Sequence, residues 1–151
     1  MRACARIAGL RIPTETVAAY LERLGGPEEI RYGMLPVPRP RPTEVLVRVA
    51  AVAVNPVDTF VRSGAYRTPV PFPFVIGRDL AGSVVDADPA TGFRAGERIW
   101  CASLGHAGRQ GATAGYVAVA ADRLYRLPAG VTDVAAVASL HPAMTAWLAL
   151  H

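Results

Sequence analysis

The sequence predicts a mainly β domain, built of many short strands with short helices and a helical segment at its C-terminal end. Three observations carry that reading. The 151 residues include 14 glycines and 13 prolines, which punctuate the chain often without making it low in complexity. The run Glu44–Val54, EVLVRVAAVAV, alternates and is β-branched. The stretch Thr132–Leu150 is rich in alanine with helical spacing. Hydrophobic residues make up 52%, which excludes a disordered composition, and the length suits one domain with its own core.

Residues 1–13 have no clear period and read as a tail. Thr16–Leu21 (TVAAYL) reads as a strand, Gly25–Glu29 (GGPEE) as a turn, and Ile30–Leu35 (IRYGML) as a second strand. Pro36–Pro42 carries four prolines in seven positions, so it is an extended connector and cannot be helix. In Glu44–Val54, Val45, Val47 and Val49 share one face and Leu46 and Arg48 the other. Pro56 can open a helix and Gly64 can close it, so PVDTFVRSG is a short helix. Asp58 and Arg62 are spaced to pair on it.

Thr68–Phe74 (TPVPFPF) reads as an irregular loop, Val75–Asp88 as a glycine turn and a strand, and Thr91–Ser103 as a turn with a strand near Arg98–Ala102. Gly105–Gly111 (GHAGRQG) is a loop, and Ala114–Pro128 holds one or two further strands. Thr132 or Asp133 can cap the terminal segment, and Pro142 can start a second helix within it.

Net charge is +4, and all 16 basic residues are arginine. They are dispersed among acidic residues, so no nucleic-acid partner is expected. Cys4 and Cys101 are far apart and no secretory signal precedes them, which points to a reducing, cytoplasmic setting. The apolar runs Val45–Val54 and Val134–Leu140 are each too short for a bilayer, so no membrane partner is expected. The glycines at 105, 108 and 111 mimic a phosphate-binding loop, but a strand-like stretch follows where a fingerprint needs a helix. His106, His141 and His151 have no metal-ligand spacing.

An ordered set of motifs runs through the chain: NPVDTFVRSGAY (Asn55–Tyr66), GRDLAGSVV (Gly77–Val85), FRAGERI (Phe93–Ile99), AGYVAV (Ala114–Val119), LPAGVTDVAAVA (Leu127–Ala138) and AMTAWLAL (Ala143–Leu150). Together these resemble the first half of the medium-chain dehydrogenase/reductase superfamily, its GroES-like domain, and within it the zinc-independent quinone oxidoreductases. The resemblance covers about Val17 to the end. It implies a partly open β-barrel over residues 14–131 and a helical segment, 132–151, leading toward a Rossmann domain. Zinc-dependent relatives carry a Cys after the first long strand and a GHE further on. This chain has Asn55-Pro56 and Gly77-Arg78-Asp79 there, so no zinc and no other metal is expected.

The implied chemistry is hydride transfer from NADPH to a quinone or an enone. By the resemblance, Asn55 lies beside both nicotinamide and substrate as a catalytic amide. Phe60 and Tyr66 line the substrate pocket, with Phe60 lacking the hydroxyl of the tyrosine many relatives have. Thr145 contacts the nicotinamide. Read from the residues alone, Asn55 is a helix cap or turn residue before Pro56, Tyr66 a ring packed under the TPVPFPF loop, and Thr145 a packing residue. Cys101 reads as core. The nucleotide-binding half has no counterpart in these residues. The chain is therefore expected to be inactive and to bind no NADPH alone, and to leave apolar surface and a sheet edge exposed. The alternatives are a stand-alone GroES-like binding module and one chain of a split reductase, its Rossmann domain supplied in trans rather than in cis. A homodimer is left open.

Overall fold

The computed structural model describes residues 5–6, 11–102 and 104–151. Strands β1 (Ala5–Arg6), β2 (Glu15–Leu21), β3 (Arg31–Pro36) and β4 (Glu44–Ala53) lead into helix α1 (Pro56–Ser63). Then come β5 (Phe74–Val75), β6 (Asp79–Ala87), β7 (Arg98–Cys101), β8 (Tyr116–Ala120), β9 (Tyr125–Arg126) and helix α2 (Asp133–Leu150). One sheet has the order β8-β4-β6-β7-β9, with β1 added alongside β6; a second has the order β3-β2-β5. All the pairings are antiparallel. Two sheets with no closed barrel, plus two helices, is a partial GroES-like architecture.

Of the stretch read as a tail, Ala5 and Arg6 pair with Ala87 and Asp86; residues 1–4 and 7–10, with Cys4, lie outside the described residues. The main core gathers Val45 and Val47 from β4, Leu80 and Val84 from β6, Ile99 and Cys101 from β7, and Val117 and Val119 from β8. Leu46 is buried too, on the opposite face of β4, while Arg48 is exposed. A smaller cluster of Leu21, Val61 and Phe74 fastens α1 to the second sheet.

The terminal segment departs from expectation. Pro142 does not start a second helix; α2 runs unbroken from Asp133 to Leu150 with Pro142 inside it. The Thr132 hydroxyl accepts the Ala135 N–H at 3.1 Å and caps the start. Ala136 and Val137 pack on Ala81 of β6, and this seat holds the turn that a proline would otherwise break. Because the helix is continuous, its 18 residues, with mean hydropathy 1.2, have the length and composition to cross a membrane. The separate runs of the sequence did not reach that length. Its first half rests on the sheet through Ala136 and Val137. Beyond Pro142 the helix is bare: Met144, Trp147, Leu148 and Leu150 are all exposed. This is the uncovered apolar surface that the sequence led us to expect.

Candidate functional site

The site forms where β4 ends, β6 begins and α2 passes over both. The register of β4 on β6 places Ala53 opposite Asp79. Two residues beyond Ala53, the chain leaves the sheet at Asn55, whose extended backbone opens α1 at Pro56. Asn55 is therefore carried to the Asp79 carboxylate, and its Nδ2 donates to Asp79 Oδ2 at 2.7 Å. An amide nitrogen has two N–H groups, so one remains for another acceptor. The backbone N–H of Asn55 donates to Asp58 Oδ2 at 2.7 Å, and the Asp58 N–H donates to the Asn55 carbonyl at 3.0 Å. The sequence offered a cap or a catalytic amide at Asn55. The structure has its backbone at the helix start and its side chain on Asp79.

Asp58 and Arg62 do not pair as expected. Asp58 faces back to Asn55, while Arg62 Nη1 donates to the Gly25 carbonyl at 2.6 Å. The demand of the buried Asn55 N–H for an acceptor outweighs a weak exposed ion pair. Burial holds the Asp58 carboxyl above the usual carboxylate range, against the Asn55 N–H bond, and the nearby Asp79 adds to the rise. Stability from a raised carboxyl is fully present below its unfolded pKa and is lost as pH rises through the folded value. Asp58→Asn keeps an acceptor for Asn55 and removes the charge. We expect it to be at least as stable as the parent at neutral pH and to lack the parent's decline out of the acid range. Urea midpoints measured from acid to neutral pH check this; parallel curves for the two proteins would remove the assigned cause.

Sequence reasoning missed Asp79 and His141 as site residues. Asp79 is fully buried. His141 Nδ1 lies 3.5 Å from Asp79 Oδ1, and both atoms are buried without another partner. Thr145, one turn further along α2, donates its hydroxyl to the His141 carbonyl at 2.9 Å. Asn55 and Thr145, singled out separately in the sequence, are thus joined through Asp79 and His141. Phe60 and Tyr66 are about half exposed, at 54% and 46%. The Arg78 guanidinium sits 5.8 Å from the Tyr66 ring centre, a cation–π distance. The one signal for Asp79 was an acid opening a strand just after a glycine turn; nothing marked His141.

The loop at residues 105–111 does not offer a phosphate cradle. A Cβ on Gly111 would meet the Val75 and Ile76 carbonyls at 2.3 and 2.4 Å, and one on Gly105 the Gly77 carbonyl at 2.6 Å. These glycines let two loops touch. Among the described residues no group of three or more His, Cys, Asp or Glu could hold a metal ion.

The alcohol dehydrogenase GroES-like domain family matches residues 41–129. The chain belongs to that family. This GroES-like chain is 36% identical to human quinone oxidoreductase over 136 residues, 88% of the chain and 40% of that protein. It is 37% identical to the mouse quinone oxidoreductase over 106 residues, 69% of the chain and 31% of the relative. The mycobacterial protein Rv1454c, solved in complex with NADPH, superposes with a TM-score of 0.78 at 32% identity, over 89% of this chain and 39% of that one. A quinone oxidoreductase from Pseudomonas syringae gives 0.81 at 28% identity, over 90% and 41%. The GroES-like chain therefore spans about two fifths of the length of most of these relatives, in the quinone oxidoreductase-like branch of the medium-chain dehydrogenase/reductase superfamily.

Proposed function

We propose that the chain is the catalytic-domain portion of an NADPH-dependent, zinc-independent reductase of quinones or enones, inactive without a nucleotide-binding half. The observation that carries this is the Asn55–Asp79–His141–Thr145 cluster, beside the stretch of α2 whose apolar residues have no cover. The quinone oxidoreductase relatives and the NADPH-bound mycobacterial structure support it. The missing cover is a Rossmann domain, in the same chain or in another.

The residues present fit the nicotinamide end of the cofactor and not its phosphates. Asn55 has a spare N–H, and Thr145 is exposed one helical turn beyond His141. In the glycine loop, Gly105 and Gly111 lie against other backbone. When bound, NADPH supplies the hydride. Asn55 contributes an N–H toward the acceptor carbonyl, aimed by its bond to Asp79, where an ordered donor stabilises developing negative charge. Phe60 and Tyr66 offer ring surface for a flat acceptor.

In the form that carries the nucleotide-binding half, Asn55→Ala is expected to lower quinone turnover about 10²-fold. Steady-state kinetics alongside thermal melts check this. A variant with unchanged turnover would return Asn55 to a purely structural role.

A further inference from the structure

We propose that His141 is the proton donor of this site, with Asp79 as the residue that positions its ring. The inference rests on the reductase reading for its substrate and on the side-chain geometry for everything else. Asp79 is fully buried and divides its carboxylate between two side chains: Oδ2 takes the Asn55 amide, and Oδ1 faces His141 Nδ1. Both Oδ1 and Nδ1 lack any other partner, and an unpaired buried polar atom is destabilising. The 3.5 Å between them is long for a hydrogen bond, as catalytic pairs often are before substrate arrives. A proton on Nδ1 answers both needs. It fixes the ring orientation and leaves Nε2 as the working nitrogen.

The His141 side chain is about a quarter exposed, at 26%. With Nδ1 buried against Asp79, Nε2 is the ring nitrogen left to meet a substrate. Thr145 follows His141 by one helical turn and donates its hydroxyl to the His141 carbonyl. Asp79 therefore orders the Asn55 amide and the His141 ring through its two oxygens.

Of the charged groups, Asp79 on β6 faces His141 directly, and Asp58 on α1 lies within electrostatic reach of it. On α2 itself the charged residue is Asp133, two turns away and paired with Arg98.

The step balances. The acceptor gains two electrons with a hydride from the nicotinamide nucleotide, which is oxidised, and the acceptor oxygen becomes an anion. With both ring nitrogens carrying protons, the His141 Nε2–H bond breaks, an O–H bond forms on that oxygen, the electron pair stays on nitrogen, and the ring is left neutral with its proton on Nδ1. Solvent reprotonates the ring.

The test has two arms. The first uses the 151-residue chain with no cofactor. Nitrogen-15 NMR should show His141 with its proton on Nδ1 and a downfield Nδ1–H resonance, absent in His141→Gln and lost in Asp79→Asn. A ring protonated on Nε2 alone, or one indifferent to Asp79→Asn, overturns the proposal whatever the activity. The second arm uses the form with its nucleotide-binding half. His141→Gln, on a half-open helix face, should fold and lose about 10²-fold in kcat, with partial rescue by added imidazole. Quinone reduction that is intact in His141→Gln overturns the donor role alone. Absence of reduction in the parent overturns the reductase reading, and with it the donor role that depends on that reading. The NMR arm then still decides whether Asp79 positions the ring.

Discussion

Phe74→Ala is expected to destabilise the chain by about 3–5 kcal/mol, the range for removing a buried aromatic ring. Phe74 is 1% exposed and packs with Leu21 and Val61. The cluster is small, and its members come from three elements: β2, α1 and β5. The Phe74 strand is only two residues long and holds to β2 by the pairings Tyr20–Val75 and Leu21–Phe74. Few neighbours can collapse into the space the ring would leave. Domains have about 5–15 kcal/mol of stability in total, so this one change removes a large share. It also unseats α1, whose buried residue is Val61, and α1 begins at Asn55. Thermal denaturation should show a melting point lower by on the order of 10 °C, with α1 signals shifting most by NMR. A loss below about 1 kcal/mol would show that α1 is held by something other than this cluster.

Gly77→Val is expected to cost about 2–4 kcal/mol and to disturb the site as well as the fold. Gly77 has φ +94°, and a Cβ there would sit 2.5 Å from Thr113 Oγ1. A β-branched residue at positive φ is strained whatever the space around it. Here the space is filled too. The turn at Gly77 delivers Arg78 and Asp79 to the start of β6, so a shift of its backbone moves the carboxylate that Asn55 and His141 share. Gly92→Ala is the control: φ is +77° there, and nothing lies within 4 Å of the added carbon. It should show the strain alone, about 1–2 kcal/mol. Urea unfolding of both variants, with the His141 NMR signal as a second readout, separates strain from crowding. Equal losses in the two would mean that Thr113 yields freely and the site tolerates the turn's movement.

Several elements could be read directly because their signals are local. The Asn55-Pro56 start and Gly64 stop of α1 lie within ten residues. The β-branched run from Glu44 shows its pleat in its own alternation. The loop at residues 105–111 could be told from a phosphate cradle by the strand pattern that follows it. Pro142 misled for the same reason. Locally it ends a helix, and only the packing of Ala136 and Val137 on Ala81 keeps α2 continuous across it. The Asp58–Arg62 spacing likewise promised a pair, but each side chain met a better partner from elsewhere.

By itself the sequence determined the mainly β class, the family, the order of most elements and the choice of Asn55 and Thr145 as residues to watch. Tertiary structure alone decided what those two belong to. Asn55 and Asp79 are 24 residues apart and meet because β4 and β6 pair in one register. His141 reaches Asp79 because α2 lies across that sheet. A buried carboxylate must find donors, and which donors it finds is set by strand register and helix packing, neither of which leaves a mark on neighbouring residues in the chain.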